Sequence, residues 1–261
     1  MRVTYLAHSG FMVETDDVIM VFDYFRDPSH SVVKKLEERK DVPVVFFVTH
    51  HHKDHYNPDI FNLAQNHERV YVLSNDVEAR DTNSRLAIQG MSAGDVVENL
   101  PGGITVKAYP STDEGVSFLV TTKAGRKVFH AGDLNLWHWN EENTPKAVAE
   151  ATAAFTKAVN RIAEENPSID TVMFPVDVRQ GKDFALGATR FMEAIKVKDF
   201  FPMHFDGSAS VACDFGVYPF HNAVNTTFHC LKDPGESIQL NGPTSPNSKI
   251  YTFCLLYTSP S

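Results

Sequence analysis

No apolar run in this 261-residue chain approaches the ~18–20 residues needed to cross a bilayer. The N-terminus, MRVTYLAHSGFMVE, lacks the continuous hydrophobic stretch of a signal peptide, so the expected location is cytoplasmic, with no membrane partner. Clusters of Lys and Arg are missing as well. The chain carries 24 basic against 33 acidic residues, a net charge of −9, and its cations are scattered in pairs such as Lys34-Lys35. Phosphate backbones are bound by clustered cations, so the expected partner is a small-molecule substrate rather than nucleic acid. Cysteine is scarce too. Cys213, Cys230 and Cys254 show neither close pairing nor metal-type spacing, which suits a reducing compartment. Internal repeats, low-complexity stretches and linkers are absent, so residues 1–253 are expected to form a single domain. Residues 254–261, CLLYTSPS, resemble the translation of a transposon-type sequencing adaptor joined to a gene fragment. On that reading the tail stands apart from the fold and the native C-terminus is truncated.

What is present falls into two halves. The first is rich in short β-branched and aromatic runs: Val3–Leu6, Phe11–Glu14, Val18–Phe22, Val44–Val48, Val70–Leu73, Ile104–Tyr109, Ser117–Thr122 and Lys127–Ala131. The run at Val44–Val48 is apolar throughout, as a strand covered on both faces should be. Helices enter in the second half. Thr144-Pro145 is a helix start with a capping hydroxyl and a proline in the first turn. Val148, Ala151, Phe155, Val159 and Ile162 then form an apolar stripe, and Asn166-Pro167 ends it. Thr171–Val176 is expected as a strand, Phe184–Lys196 as a helix and Phe200–Met203 as a strand. Strands first and helices later predict an α/β fold with two packed β-sheets and helices outside.

Histidine is the unusual residue, twelve in all, with four inside Thr49-His50-His51-His52-Lys53-Asp54-His55. This segment follows a buried strand, where functional loops are placed. Imidazole and carboxylate are what Zn²⁺ and its neighbours prefer. His50 and His52 can face one way from an extended segment while Asp54 and His55 lie past the bend, so one loop could serve two ions.

The pattern H-x-H-x-D-H resembles the signature of the metallo-β-lactamase superfamily, and further landmarks follow in family order. Asp23 matches the early Asp that braces the histidine loop, Gly132-Asp133 the bridging carboxylate, and His204 in Pro202-Met203-His204-Phe205 the late histidine. The opening Tyr5-Leu6-Ala7-His8-Ser9-Gly10-Phe11 is most similar to the branch containing ascorbate-6-phosphate lactonase. The resemblance implies a four-layer αβ/βα sandwich of two facing mixed sheets, helices on the outer faces. It also implies metal ligands His50, His52, Asp54, His55, Asp133 and His204. His50 and His52 would hold one ion, Asp54, His55 and His204 the other, and Asp133 would bridge. One or two divalent ions are expected, zinc first, with manganese or iron as alternatives.

One landmark departs from the family. A third histidine normally precedes the bridging Asp, but here the stretch reads Ala108-Tyr109-Pro110-Ser111-Thr112-Asp113-Glu114-Gly115. Ser111, Thr112 or Asp113 occupies its place, and Asp113 could supply an oxygen ligand, favouring a harder ion. His138, between Trp137 and Trp139, either reaches the metal or substrate or packs in an aromatic cluster. His130 reads as a core group bracing the site, His8 as structural, Arg26 and Arg179 as surface ion-pair residues. The implied chemistry is hydrolysis of a small-molecule lactone, ester or amide by a metal-bound hydroxide, with Asp54 orienting it as the catalytic carboxylate. The alternatives are a phosphodiesterase or ribonuclease of the same fold and a non-catalytic binding protein with a degenerate site. A redox diiron enzyme would carry a carboxylate where His52 stands.

Overall fold

A computed structural model describes residues 1–79, 86–205, 207–215 and 225–240. The tail 254–261, with Cys254, lies outside them. Two seven-stranded sheets form the sandwich. The first contains β1 (Arg2–Ala7), β2 (Gly10–Glu14), β3 (Ile19–Phe22), β4 (Val44–Val48), β5 (Arg69–Ser74), β6 (Ala87–Met91) and the returning β14 (Ser237–Gln239). The second contains β7 (Val96–Leu100), β8 (Ile104–Pro110), β9 (Val116–Thr121), β10 (Lys127–His130), β11 (Ser168–Pro175), β12 (Lys196–Met203) and β13 (Thr227–Phe228). In the first sheet the order is β14-β1-β2-β3-β4-β5-β6, and in the second β13-β12-β11-β10-β9-β8-β7.

Both sheets are mixed in the same way. Strands β3 to β6 run parallel, as do β10 to β13, while the remaining pairs are antiparallel. Parallel neighbours end on the same edge, so the residues following β3 and β4 gather on one side. Those following β10, β11 and β12 gather likewise. Loops at such strand ends are where α/β folds place their ligands.

Aromatic side chains fill the space between the sheets. Phe22 and Phe47 stack with centroids 4.5 Å apart, and Phe47 also meets Phe118 from the opposite sheet at 5.6 Å. Truncating such a buried Phe to Ala costs about 3–5 kcal/mol. Helix α1 (Ser31–Glu38) presses Val32 and Leu36 onto the outer face of the first sheet, against Leu6, Val21 and Phe46. On the second sheet lie α2 (Pro145–Glu165) and α3 (Leu186–Ala194). The start of α2 is as the sequence predicts: Thr144 Oγ1 accepts from the Ala147 amide at 3.3 Å and Pro145 follows. Among the described residues no helix is long and apolar enough to cross a membrane.

Two expectations change. Phe184–Lys196 is not one helix: α3 spans Leu186–Ala194, and Lys196 already begins β12, whose alternation of exposed and buried residues at Lys196–Asp199 governs there. The cysteines are not all unpaired either. Cys213, on the short α4 (Ala209–Asp214), is disulfide-bonded to Cys230, with Cα atoms 5.3 Å apart. Seventeen residues of sequence separate the two, so their meeting is set by tertiary structure, and the argument for a reducing compartment does not hold for this pair.

Candidate metal centre

The histidine loop is held from beneath by Asp23, fully buried at the end of β3 with φ 43°. Its carboxylate accepts from the Thr49 amide at 2.8 Å, from Thr49 Oγ1 at 2.7 Å and from His55 Nδ1 at 2.8 Å. Burial alone would raise the Asp23 carboxyl. The surrounding His130, His55 and His50 outweigh that and hold it below the usual carboxylate range. Since Nδ1 of His55 is committed to Asp23, Nε2 is turned toward the cleft. His130 stacks on Phe22 at 5.2 Å, with Nε2 on the Ser9 carbonyl at 2.7 Å and Nδ1 accepting from the Gly132 amide at 3.2 Å. Burial pushes its pKa down, which favours the neutral imidazole at this position.

From the second sheet, Asp133 follows β10 and His204 follows β12. Gly132 lets Asp133 come this close: at φ +54°, a Cβ there would lie 2.8 Å from that of Thr49. Asp133 Oδ2 is 3.3 Å from His50 Nε2, and Oδ1 is 3.1 Å from His55 Nε2 and 3.4 Å from His204 Nε2. His204 repeats the arrangement of His55, its Nδ1 lying 2.9 Å from Asp177 Oδ2. Arg179 in turn grips Asp177 with Nε and Nη2.

His8 Nε2, His50 Nε2, His55 Nε2 and Asp133 Oδ1 are buried and lack hydrogen-bond partners. Leaving such atoms unsatisfied is costly. All are Lewis bases that suit a divalent cation, and they converge. The ligand atoms group within 4.8 Å of one another as His8-Asp54-His55-His204, His50-His55-Asp133 and His52-Asp113-Asp133. The six sequence-predicted residues are therefore brought together, linked through His55 and Asp133. The residues fit one or two metal ions.

The turn in place of the third histidine docks on this loop. The Val116 amide donates to the Thr49 carbonyl at 2.9 Å, and Asp113 joins His52 and Asp133. Thr112 lines the cleft, its hydroxyl donating to the Asn135 carbonyl at 2.5 Å, whereas the Ser111 hydroxyl accepts from the Asp113 amide at 3.3 Å. His138 is turned away, between Gln180 and Asp183, and joins no group of metal-ligating residues among those described. Two contributors escaped the sequence reading. His8, expected to be structural, is 8% exposed with φ 55° and packs 4.2 Å from the His204 ring. Asp177 gave no signal beyond its place after a predicted strand.

The cleft above these residues encloses about 470 Å³ and is lined by His52, Asp54, Thr112, Asp113, Asp133, Trp137, Trp139, Arg179 and His204. A larger groove of about 1020 Å³ runs along α2 but holds none of the six. Asp54 sits at the cleft half exposed, beside His8, whose imidazole holds the Asp54 carboxyl well below its usual range. Burial opposes charge on His55, yet Asp133 and Asp23 on either side outweigh it and hold its pKa up at about 10.

Such a histidine-carboxylate cluster at the strand-end edge of an αβ/βα sandwich defines the metallo-β-lactamase fold. The chain belongs to the Beta-lactamase superfamily domain family, whose profile it matches over residues 2–149. It is similar to a UPF0173 metal-dependent hydrolase of Natranaerobius thermophilus, 22% identical across 92% of this chain and 100% of that protein. One from Korarchaeum cryptofilum is 29% identical across 52% of this chain and 62% of its own length. A metallo hydrolase of Ignicoccus hospitalis shares the fold with a TM-score of 0.63 at 16% identity, covering 93% of this chain and 99% of that one. CmlA, a diiron beta-hydroxylase of Streptomyces venezuelae, also shares it at TM-score 0.59 and 13% identity, covering 92% of this chain and 54% of that protein.

Proposed function

We propose that the chain is a metal-dependent hydrolase acting on a small-molecule lactone, ester or amide. The observation that carries this reading is the convergence of buried, unpartnered imidazole nitrogens and a carboxylate oxygen beneath the cleft. His50, His52, Asp113 and Asp133 would hold one ion, and Asp54, His55, His204 and Asp133 the other, with His8 beside the second. A divalent cation so placed supplies Lewis acidity and brings the pKa of water in its shell toward ~7.

The chain's own groups do the rest. Asp23 and Asp177 fix His55 and His204 with Nε2 toward the cleft, so no reorientation is required when substrate arrives. Asp54, ionised and half exposed, accepts a hydrogen bond from the attacking water and aims it at the carbonyl carbon. The volume of the cleft is that of a small-molecule site, and a net charge of −9 disfavours polyanions. The imidazole and carboxylate donors suit zinc, and the further oxygen that Asp113 would supply to one ion shifts the preference there toward manganese or iron.

The test is metal analysis after loading with zinc or manganese, followed by turnover assays on lactones, esters, amides, thioesters and bis-p-nitrophenyl phosphate. Retention of at least one ion, and carbonyl-substrate turnover lost in Asp133→Asn, is expected. Exclusive turnover of the phosphodiester would overturn the substrate class, and failure to retain any ion would overturn the reading itself.

A further inference from the structure

His8 lies in the two-residue turn between β1 and β2, where Ala7 pairs with Gly10. Its φ of 55° is left-handed, a conformation that such turns ordinarily fill with Gly, Asn or Asp. The backbone ties this turn to the opposite sheet, the His8 carbonyl accepting from the His204 amide at 3.2 Å. The ring is thereby held beside those of His204 and His55, with centroids 4.2 Å and 5.5 Å away.

Nε2 of His8 is buried and has no hydrogen-bond partner. Asp54 Oδ2 stands 3.4 Å from it, beyond the about 2.7–3.2 Å of an N–H···O bond. Two ligands on one tetrahedral zinc, each about 2.0–2.2 Å from the ion, stand about 3.3–3.6 Å apart. Asp133 Oδ1 and His204 Nε2 show the same 3.4 Å spacing. The separation suits two atoms sharing an ion better than a hydrogen bond. Ligand atoms of His8, Asp54, His55 and His204 all lie within 4.8 Å of one another. Three imidazoles and a carboxylate are a complete tetrahedral set, closed with or without the shared Asp133.

Burial divides this set from its neighbour. His8 and His55 are buried and do not line the cleft, whereas His52, Asp113 and Asp133 all do. Structural ions have closed protein shells, and catalytic ions keep an open position.

We propose that His8 is a metal ligand that closes the shell formed by Asp54, His55 and His204. The ion held there is then the tighter of two, and the open position belongs to the ion at His52, Asp113 and Asp133. The proposal rests on the hydrolase reading for the use made of that open position; ligation by His8 requires no turnover.

The EDTA-stripped full chain is titrated with zinc against a competing chelator, and two classes of site of unequal affinity are expected. His8→Gly suits the φ of 55° and removes the ring. It should weaken the tighter class at least about tenfold, since loss of a mere bracing partner already costs that much, and leave the weaker class alone. Added imidazole, which fits the vacated space, should recover much of the loss. His8→Asn, which also tolerates this backbone, carries the test if the glycine variant does not fold. With Co²⁺ in place of zinc, visible absorption of the first equivalent reports its ligands and should differ between wild type and either variant. Urea unfolding of the stripped variants separates ligation from packing, because a ring that only packs lowers stability and leaves affinity intact. Unchanged affinity of the tighter class, or a loss confined to the weaker one, would overturn the proposal. Two classes that depend on His8, with no carbonyl substrate turned over, would instead count against the hydrolase reading and leave the ligand standing.

Discussion

Asp177 and Asp23 serve two different histidines in the same way, each taking Nδ1 so that Nε2 is left for the cleft. Asp177→Asn keeps the shape but removes the charge that fixes the ring. Zinc affinity, measured by chelator competition, is expected to fall about 10–100-fold; an unchanged affinity would refute the bracing role. Asp113→Ala should weaken one of two ions at least about tenfold while leaving the other, because Asp113 groups with His52 and Asp133 only. His138→Ala should leave both stoichiometry and affinity alone and cost stability, about 1–3 kcal/mol, since it leaves the buried Gln180 Oε1 without its partner, while Asp183 keeps Asn140. Titrating the three variants beside wild type separates these outcomes. Residues of the H-x-H-x-D-H loop were legible because neighbours in sequence are there neighbours in space. Asp177 stands 27 residues from the histidine it braces, and His8 meets the histidine loop only when β1 to β4 assemble into the first sheet. No local pattern announces either.

Most strands with apolar runs were legible to within a residue or two, since burial on both faces imposes composition directly: β4 is Val-Val-Phe-Phe-Val and wholly buried. Strands β11 and β12 begin three and four residues before the expected Thr171 and Phe200, because their first residues alternate between exposed and buried. Strands β6 and β7, at the exposed sheet edges, escaped notice because their sequences, Ala-Ile-Gln-Gly-Met and Val-Val-Glu-Asn-Leu, are mostly solvent-facing and lack that signal. The short β13 and β14 and helix α1 were also missed, being only two, three and eight residues long. The β8–β9 turn supplies the prediction at this scale. Gly115 has φ +66°, and an added Cβ would fall 2.0 Å from the Thr49 carbonyl oxygen. Gly115→Ala should therefore push the turn off the histidine loop and destabilise the protein by more than about 1 kcal/mol, with loss of metal affinity. Wild-type urea stability and metal affinity in that variant would show that the close contact is unimportant.

For the whole molecule, the metal and the proton compete. His55 has an ordinary value of 6.5, raised to about 10 in the fold. Its folded value exceeds its unfolded value, so its contribution to stability is complete below pH 6.5 and is lost as pH climbs through about 10. Urea unfolding of the EDTA-treated chain should show stability falling across that window. The zinc-loaded chain should show a flatter profile, because the ion occupies the proton's place; identical slopes would contradict this. The division of ligands between the sheets carries a further consequence. His8, Asp23 and the histidine loop come from the first sheet, Asp113, Asp133, Asp177 and His204 from the second, and the passage from β6 to β7 is a short exposed turn, Ser92-Ala93-Gly94-Asp95. A chain severed there becomes two pieces that each hold half a chelator. Zinc should then act as the joining agent of a split protein, its concentration setting how much of the pair is assembled.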